Sequence, residues 1–336
     1  MNRFLHICIL SFVLTACTNQ QKDILVKFTG ETQGTYYAVT YFEKEGRNFQ
    51  VDIDSLLHAF DLSVSMWVPQ SVISRINRNE PNIDADEHFL ANYYLSKQVF
   101  EKTDGAFDPT VAPLVNAWGF GFTDRIHVDE KVVDSLLPLI GFENVEIDGH
   151  KVIKKDVRIQ FDFNAVAQGY SVDLVGKFLE SKGVEAYLVD IGGEVFAKGH
   201  KPDGSLWKVG IEKPKDNASY GEGLQAIVEL EDKALATSGN YRKFYEENGV
   251  RYSHTIDPKT GYPVKHSLLS VSVLAGDCGT ADAFATAFMV QGVEKSKITL
   301  QNNPGLEAYF IFSDENGDLQ TYVTSGFKDI ITEVAD

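Results

Sequence analysis

The alternation of apolar and polar positions along this chain predicts many short strands, most of them joined in pairs as hairpins. The turn signals Asp148-Gly149, Asn248-Gly249 and Asn316-Gly317 are typical of such hairpins. In the hairpin around Asp148-Gly149, we predict the returning strand at 157–161. The segments in which strands or strand pairs are predicted are 27–42, 145–161, 184–189, 208–212, 224–230, 243–256 and 269–274, whereas 236–242 is predicted to be a loop.

Apolar residues at helical spacing predict fewer but longer helices. We interpret Asp108 as the N-cap of a helix that begins at Pro109, and Thr280 as the N-cap of the helix at 281–290. Because strand and helix segments alternate irregularly, the pattern favours an α+β fold over a regular βαβ series. We expect mixed, largely antiparallel sheets with flanking helices. The other helices are predicted at 52–63, 87–102 and 165–181.

Residues 1–16 are predicted to be a lipoprotein signal peptide. A positive charge at Arg3 precedes a short apolar segment, and Leu14-Thr15-Ala16-Cys17 resembles a bacterial lipobox. We therefore expect cleavage before Cys17, a lipid on its sulfur, a tether at 17–23 and a folded domain at 24–336. This predicts an extracytoplasmic protein on the periplasmic side, anchored to a lipid membrane through Cys17, and leaves inner or outer membrane open. An ordinary signal peptide with an incidental Cys is the alternative.

The composition excludes one class of partner. The chain of 336 residues has a formal net charge of −17, and a nucleic-acid-binding protein needs a basic face, so no nucleic acid is expected to bind. The hydrophobic fraction of 43% is enough for a large core, in one large domain or two smaller ones. Cys278 has no positive neighbour in sequence, and we interpret it as a small buried residue rather than a nucleophile.

The segment from Gly276 to Thr286 changes from a glycine-rich turn into a helix. Asp282 and Thr286 are four residues apart and lie on one helical face, where their oxygens suit a hard cation such as Mg²⁺. The start of a helix also favours an anion, so a metal-bound phosphate is a candidate ligand. The alternative is that Asp282 only complements the helix dipole and that Thr286 bonds back to its own helix.

Further candidates are scattered along the chain, and each is ambiguous by itself. Trp67 lies in a polar loop, where it either packs into the core or provides a surface on which a planar ring stacks. Asp162 precedes a predicted helix, a common position for ligand groups. Gly169 inside that helix costs about 1 kcal/mol relative to Ala, which indicates that a helix or a cofactor packs closely there. His254 ends a predicted strand, where it is either exposed, hydrogen-bonded in the core, or directed into a cleft.

Taken in order, six motifs resemble the FAD:protein FMN transferases, the ApbE family of flavin-transferring lipoproteins. The resemblance covers nearly all of the chain beyond the signal peptide. The motifs are Thr103-Asp104-Gly105-Ala106-Phe107-Asp108-Pro109, Asp162-Phe163-Asn164-Ala165-Val166-Ala167-Gln168-Gly169-Tyr170, Asp190-Ile191-Gly192-Gly193, Ser238-Gly239-Asn240-Tyr241, His254-Thr255-Ile256-Asp257-Pro258-Lys259-Thr260-Gly261, and the segment from Gly276 to Thr286.

The resemblance implies a magnesium-dependent reaction with FAD as the substrate. A Thr or Ser hydroxyl of an acceptor protein attacks the FMN-side phosphorus, AMP leaves, and FMN remains joined by a phosphodiester. Acceptors would be proteins such as flavin-carrying subunits of membrane redox complexes. The motif residues come from both halves of the chain, so we expect two intertwined lobes with the FAD site between them.

The resemblance also implies roles for individual residues. His254 is expected to be the general base on the acceptor hydroxyl. The metal would be held by Asp282, Thr286 and the backbone carbonyl of Ala165, with position 285 less clear because some relatives have Asp where this chain has Ala285. The residues expected to line the FAD site are Gln33, Trp67, Ala106, Phe107, Asp108, Asp162, Gln168 and Ile256.

This chain departs from the family pattern at two of these positions. Gln33 stands where Met is common, and Gln168 stands where Lys is common. The loss of that Lys removes a possible phosphate or ribose contact. Three other functions remain open on the sequence: a magnesium-dependent FAD pyrophosphatase that gives FMN and AMP, a non-enzymatic flavin-binding lipoprotein, and a solute-binding lipoprotein.

Overall fold

The computed structural model describes residues 23–121, 127–214, 223–240, 244–247 and 250–334. The predicted signal peptide and Cys17 lie outside the described residues, as does most of the predicted tether. The strands are β1 (Ile24–Thr32), β2 (Thr35–Glu43), β3 (Val145–Asp148), β4 (Lys151–Lys154), β5 (Ala186–Ile191), β6 (Glu194–Lys198), β7 (Trp207–Glu212), β8 (Leu224–Leu230), β9 (Lys233–Gly239), β10 (Phe244–Glu247), β11 (Val250–Ser253), β12 (Leu268–Ala275), β13 (Glu307–Ser313), β14 (Leu319–Val323) and β15 (Ile331–Glu333).

The helices are interspersed among these strands, and two short 3₁₀ turns follow the fifth helix. The helix at the predicted 87–102 has the predicted bounds, because a cap at Asp86 and the apolar spacing both mark it. The helices are α1 (Gln50–Val64), α2 (Val72–Asn77), α3 (Glu87–Lys102), α4 (Ala112–Ala117), α5 (Glu130–Leu136), α6 (Ala167–Ser181), α7 (Cys278–Asn302) and α8 (Ser325–Lys328).

The largest sheet has eight strands in the order β1-β2-β5-β6-β9-β12-β13-β14, and its neighbouring strands pair antiparallel. A three-stranded antiparallel sheet, β15-β8-β7, and the hairpins β3-β4 and β10-β11 complete the described strands. The predicted α+β class with largely antiparallel sheets is therefore confirmed.

The eight-stranded sheet is covered on both faces at its centre. On one face, Val189, Ala236 and Val273 pack with the helices in the main core. On the other face, Leu235 and Ile311 pack in a second cluster together with residues of the three-stranded sheet. Because both faces are covered, all residues of β12 except Leu269 are buried, including the polar residues Ser270 and Ser272.

Two predicted strand boundaries are wrong. The returning strand of the β3-β4 hairpin is Lys151–Lys154 and not 157–161, because the tight turn after Asp148 pairs that residue directly with Lys151. The segment 236–239, predicted to be a loop, is the end of β9. Its small polar residues suit a strand here, because the Thr237 and Ser272 hydroxyls hydrogen-bond across β9 and β12 at 2.7 Å.

Two predicted helix caps are also wrong. Asp108 does not cap a helix: its Oδ1 accepts hydrogen bonds from the backbone N–H and the hydroxyl of Thr110, and α4 begins only at Ala112. The intervening backbone forms a turn instead, in which the Val111 N–H donates to the Asp108 carbonyl at 3.2 Å, and Val111 also forms a bridge with Gln160. The N-cap of α7 is Asp277, whose side chain accepts from the Thr280 N–H, so the helix begins at Cys278, nearly one turn earlier than predicted.

Cys278 is completely buried, as predicted, and its thiol donates to the carbonyl of Val195 at 3.6 Å. Among the residues that the structure describes, no helix combines the length and the apolar character needed to cross a bilayer.

Candidate active site

A cavity of about 420 Å³ lies among helices and loops at the ends of the interior strands β6 and β9 of the large sheet. Its wall is built from both halves of the chain, from the loop after α3 to the first turns of α7. The residues predicted from the sequence that line it are Ala106, Phe107, Asp108, Asp162, Ala165, Gln168, His254, Ile256, Asp282 and Thr286.

Helices α6 and α7 meet in an unusually close contact at one side of this cavity. A Cβ atom placed on Gly169 would lie 2.4 Å from the carbonyl oxygen of Cys278 and 2.7 Å from the Cβ of Asp282. Only glycine permits this approach, which confirms the prediction that another element packs closely at Gly169. The backbone N–H of Gly169 donates to Oδ2 of Asp282 at 3.0 Å, so α6 directly orients that carboxylate.

The start of α7 is held by the Asp173 carboxylate, which belongs to α6. Oδ1 of Asp173 accepts from the Cys278 N–H at 2.7 Å, and Oδ2 accepts from the Gly279 N–H at 2.9 Å. These N–H groups would otherwise have no partner within the helix. Burial raises the pKa of Asp173 to about 7. The α7 segment that carries Asp282 and Thr286 is thus fixed relative to α6.

Asp282 lies about one turn inside α7 and is 6% exposed. Thr286 follows on the same face, and its hydroxyl lies 3.4 Å from the hydroxyl of Ser238 at the end of β9. Burial raises the pKa of Asp282, and the nearby Asp173 carboxylate raises it further. A buried carboxylate next to two hydroxyls is a donor set of hard oxygens.

Glu194 is a cavity residue that the sequence analysis did not identify. It begins β6, is 9% exposed and lines the cavity together with Asp282. The side-chain amide of Gln168 donates to Oε2 of Glu194 and, at 2.9 Å, to the carbonyl of Ile191. Burial raises the pKa of Glu194 well above its usual range, and the negative charge of Asp282 raises it further. Its position after Gly192-Gly193 is the only sequence signal that points to it.

The loop after α3 contributes Ala106, Phe107 and Asp108 to the cavity wall. Asp108 is 5% exposed, both of its hydrogen bonds to Thr110 are made by Oδ1, and burial raises its pKa to about 6. The Phe107 N–H donates to the Thr103 hydroxyl at 3.3 Å. The Gln291 side chain of α7 donates to the Thr103 carbonyl at 3.1 Å, which ties this wall to the helix that carries Asp282.

Asp162 also lines the cavity and is held there by hydrogen bonds to backbone groups of neighbouring residues. Its N–H donates to the carbonyl of Pro109 at 2.6 Å, and its Oδ1 accepts from the Asn164 N–H at 2.8 Å. The residues that follow, Asn164 and Ala165, also line the cavity just before α6 begins. The structure therefore places Asp108, Asp162 and Ala165 around one space.

His254 follows β11 directly and is half-buried in the cavity wall. Its ring meets the ring of Phe120 edge-on, with the centroids 6.4 Å apart. The next residue, Thr255, donates to the side-chain oxygen of Asn240 at 2.8 Å, which links this loop to the end of β9. Of the positions considered for this His from the sequence, the structure shows the one that faces a cleft.

Three predicted site residues do not line the cavity. Gln33 occupies the β1-β2 turn with a positive φ of 51°, and its Nε2 is buried without a hydrogen-bond partner. The Trp67 side chain is 66% exposed in the loop before α2. Ala285 is fully buried in α7 and has no carboxylate to offer a cation. The roles assigned to Gln33, Trp67 and Ala285 stay predictions.

The donor set near Asp282 fits a hard divalent cation. Within the described part of the chain, no three His, Cys, Asp or Glu side chains are grouped as a metal centre, so a site here would combine carboxylate with hydroxyl and carbonyl oxygens. Mg²⁺ is bound in this way, through one or two carboxylates, substrate phosphates and water. The two buried carboxylates Asp282 and Glu194 favour a cation in the same cavity.

Comparison with known proteins gives one consistent result. An FAD:protein FMN transferase of Vibrio cholerae is 36% identical over 321 residues, which is 92% of this chain and 93% of that protein. The corresponding enzyme of Haemophilus influenzae is 33% identical over 94% of this chain and 93% of its own. Each of these two alignments therefore covers nearly all of this chain and nearly all of the relative.

The fold is similar to solved structures as well. The flavin transferase ApbE from Vibrio cholerae superposes with a TM-score of 0.81 at 35% identity, covering 92% of this chain and 99% of that one. The apo form of the Pseudomonas stutzeri flavinyl transferase ApbE gives a TM-score of 0.81 at 34% identity, covering 92% and 97%. The sequence profile of the ApbE family matches residues 33–310. This chain belongs to the ApbE family.

Proposed function

We propose that this protein is an FAD:protein FMN transferase that depends on Mg²⁺. It moves the FMN moiety of FAD to a Thr or Ser hydroxyl of an acceptor protein and releases AMP. The observation that carries the proposal is the charge of the cavity. Four carboxylates line it, and none of its described lining residues is Lys or Arg. A pyrophosphate would be repelled from such a cavity unless a cation accompanied it.

Asp282, Thr286 and the Ala165 carbonyl would hold the metal, which supplies a positive charge that neutralises the pyrophosphate oxygens as the P–O bond breaks. The other residues of the cavity would position the nucleotide and the flavin parts of FAD. Asp108 and Asp162 offer acceptor oxygens for the N–H and O–H groups of the nucleotide. Phe107, Ala106 and Ile256 supply apolar contacts in the same wall. FAD would therefore be oriented by groups that come from distant parts of the chain.

His254 acts in this proposal as the general base. The acceptor hydroxyl is a weak nucleophile until its proton is removed, and a neutral imidazole nitrogen in the cavity wall accepts that proton. The oxygen then forms a bond to the FMN-side phosphorus, and the bond from that phosphorus to the bridging oxygen breaks. The electron pair leaves with AMP, and FMN stays on the acceptor as a phosphodiester.

The direct test is incubation of the purified protein with FAD, Mg²⁺ and a candidate acceptor, followed by mass spectrometry of the acceptor. We expect the mass of one FMN moiety to be added to the wild-type acceptor and nothing to be added when its target Thr is replaced by Val. Free FMN and AMP with an unmodified acceptor would contradict the transferase and indicate the pyrophosphatase. Intact FAD after the same incubation would contradict both.

We also propose that the protein is lipid-anchored through Cys17 on the extracytoplasmic side, where it meets acceptors such as flavin-carrying subunits of membrane redox complexes. The support is the lipobox-like Leu14-Thr15-Ala16-Cys17 and the polar residues that follow it. Labelling of growing cells with a palmitate analogue should mark the wild-type protein and leave Cys17→Ala unmarked. Equal labelling of Cys17→Ala would exclude this anchor.

A further inference from the structure

Two buried carboxylates approach each other across the first turn of α6. Asp282 accepts the backbone N–H of Gly169, and Glu194 accepts the side-chain amide of the preceding residue, Gln168. Consecutive residues of one turn therefore contact one carboxylate each. Both carboxylates line the same cavity, with exposures of 6% and 9%.

The partners of Glu194 do not neutralise its charge. Gln168 donates from a neutral amide, and the described residues that line the cavity include no Lys or Arg. Two carboxylates held together away from water repel each other unless a cation or a proton lies between them.

Glu194 adds a carboxylate to the cavity beside Asp282, from a different element of the fold. Ala285 carries no carboxylate, so α7 supplies only Asp282 as a charged ligand. The turn Gly192-Gly193 connects β5 to β6 and brings Glu194 into the cavity from the sheet side. A Cβ on Gly192 would lie 2.3 Å from Nε2 of Gln168, so this turn can pack against the amide only because glycine is present.

We propose that Glu194 is the second carboxylate of the divalent-cation site and shares the cation with Asp282. This assignment rests on the proposed function, because it adds a ligand to the metal site of that reaction. It also gives Gln168 a role: a neutral donor orients Glu194 and leaves its negative charge available to the cation.

The test measures cation binding without FAD or acceptor, by titrating the metal-free protein with Mg²⁺ in a calorimeter and with Mn²⁺ by electron paramagnetic resonance. Glu194→Gln keeps an acceptor oxygen for Gln168 and removes the charge, and we expect it to weaken cation affinity by about tenfold or more. Gln168→Lys removes no carboxylate but places an ammonium beside Glu194, and we expect it to weaken affinity as well.

Asp190→Asn is the matched control. Asp190 belongs to the same hairpin and accepts hydrogen bonds from Gly193 and Tyr36, but it does not line the cavity. Asn keeps an acceptor there, so this variant removes a nearby charge without removing a ligand. We expect its cation affinity to stay close to that of the wild type.

Thermal unfolding separates this role from a merely structural one. Without a divalent cation, Glu194→Gln relieves repulsion with Asp282, and its melting temperature should equal or exceed that of the wild type. With saturating Mg²⁺, the order should reverse, because the wild type gains more from the bound cation. A residue that only supports packing would lower the melting temperature in both conditions.

Each outcome decides the assignment. Wild-type affinity in Glu194→Gln, or an equal loss in Asp190→Asn, would overturn it, and flavin transfer to the acceptor would remain a separate observation. A wild-type protein that binds neither cation would overturn it together with magnesium dependence. Loss in Glu194→Gln and Gln168→Lys, with affinity retained in Asp190→Asn, would support it.

Discussion

His254→Ala is expected to lower the rate of flavin transfer by about 10²–10⁴-fold, the usual contribution of a general base. Because the ring lies in the cavity wall beside Phe120, its removal leaves the Asp282 side of the site unchanged. FAD affinity and the affinity for Mg²⁺ should therefore stay close to those of the wild type. Single-turnover transfer to an acceptor, measured beside FAD binding by calorimetry, checks both statements.

His200→Ala is the control for that variant. His200 is about half exposed, pairs with Glu231 and lies outside the cavity, so its loss should leave transfer unchanged. A His254→Ala enzyme that transfers FMN at the wild-type rate would remove His254 from the mechanism. A parallel loss of FAD affinity and rate would indicate that the ring binds FAD rather than accepting a proton.

Asp282→Asn is expected to abolish most magnesium-dependent transfer, by about 10²–10³-fold, since a metal stabilises the charge of the transition state by several kcal/mol. Asn retains an oxygen for the Gly169 N–H, so the contact between α6 and α7 is preserved. Calorimetry with Mg²⁺ should show a large loss of affinity, and Asp282→Ala should show at least the same loss. Unchanged magnesium affinity in either variant would contradict the assignment of Asp282 as a ligand.

Measurements of thermal stability show whether Asp282→Asn loses activity only because it no longer folds. In the absence of a divalent cation, Asp282→Asn removes the repulsion between the Asp282 and Glu194 carboxylates and should unfold at no lower temperature than the wild type. A much lower melting temperature would mean that the variant lost activity through its fold. The transfer result would then be judged from Asp282→Glu, which keeps the charge but moves it by one methylene.

Local signals were sufficient for much of the fold. The strand pairs β10-β11 and β13-β14 and the helix α3 are confirmed because turn dipeptides, caps and apolar spacing act within a few residues of one another. The predicted turn residues Asn248 and Gly249 themselves lie outside the described residues. Strand β9 was missed for the opposite reason. Its Thr and Ser residues resemble a loop until Thr237 is paired with Ser272, which lies 35 residues away.

The N-cap of α7 shows that local sequence signals can also fail for a single residue. Asp277 and Thr280 are both good N-caps by type, and we predicted Thr280 from the sequence, whereas the structure has Asp277. The choice depends on Asp173 of α6, which takes the N–H groups of Cys278 and Gly279 from more than 100 positions away and allows the helix to begin early. A carboxylate on another helix leaves no local signal for this contact.

What the sequence by itself determined is the family, the α+β class and the order of the motifs that carry Asp108, Asp162, His254 and Asp282. Those features depend on residue types and spacing, which are read directly from the chain. The tertiary structure decided which of these side chains share one cavity, and it added Glu194. The charge state and the ligands of a buried carboxylate depend on the groups that packing places beside it. For Glu194, those groups are the Asp282 carboxylate and the neutral side-chain amide of Gln168, which donates a hydrogen bond to it.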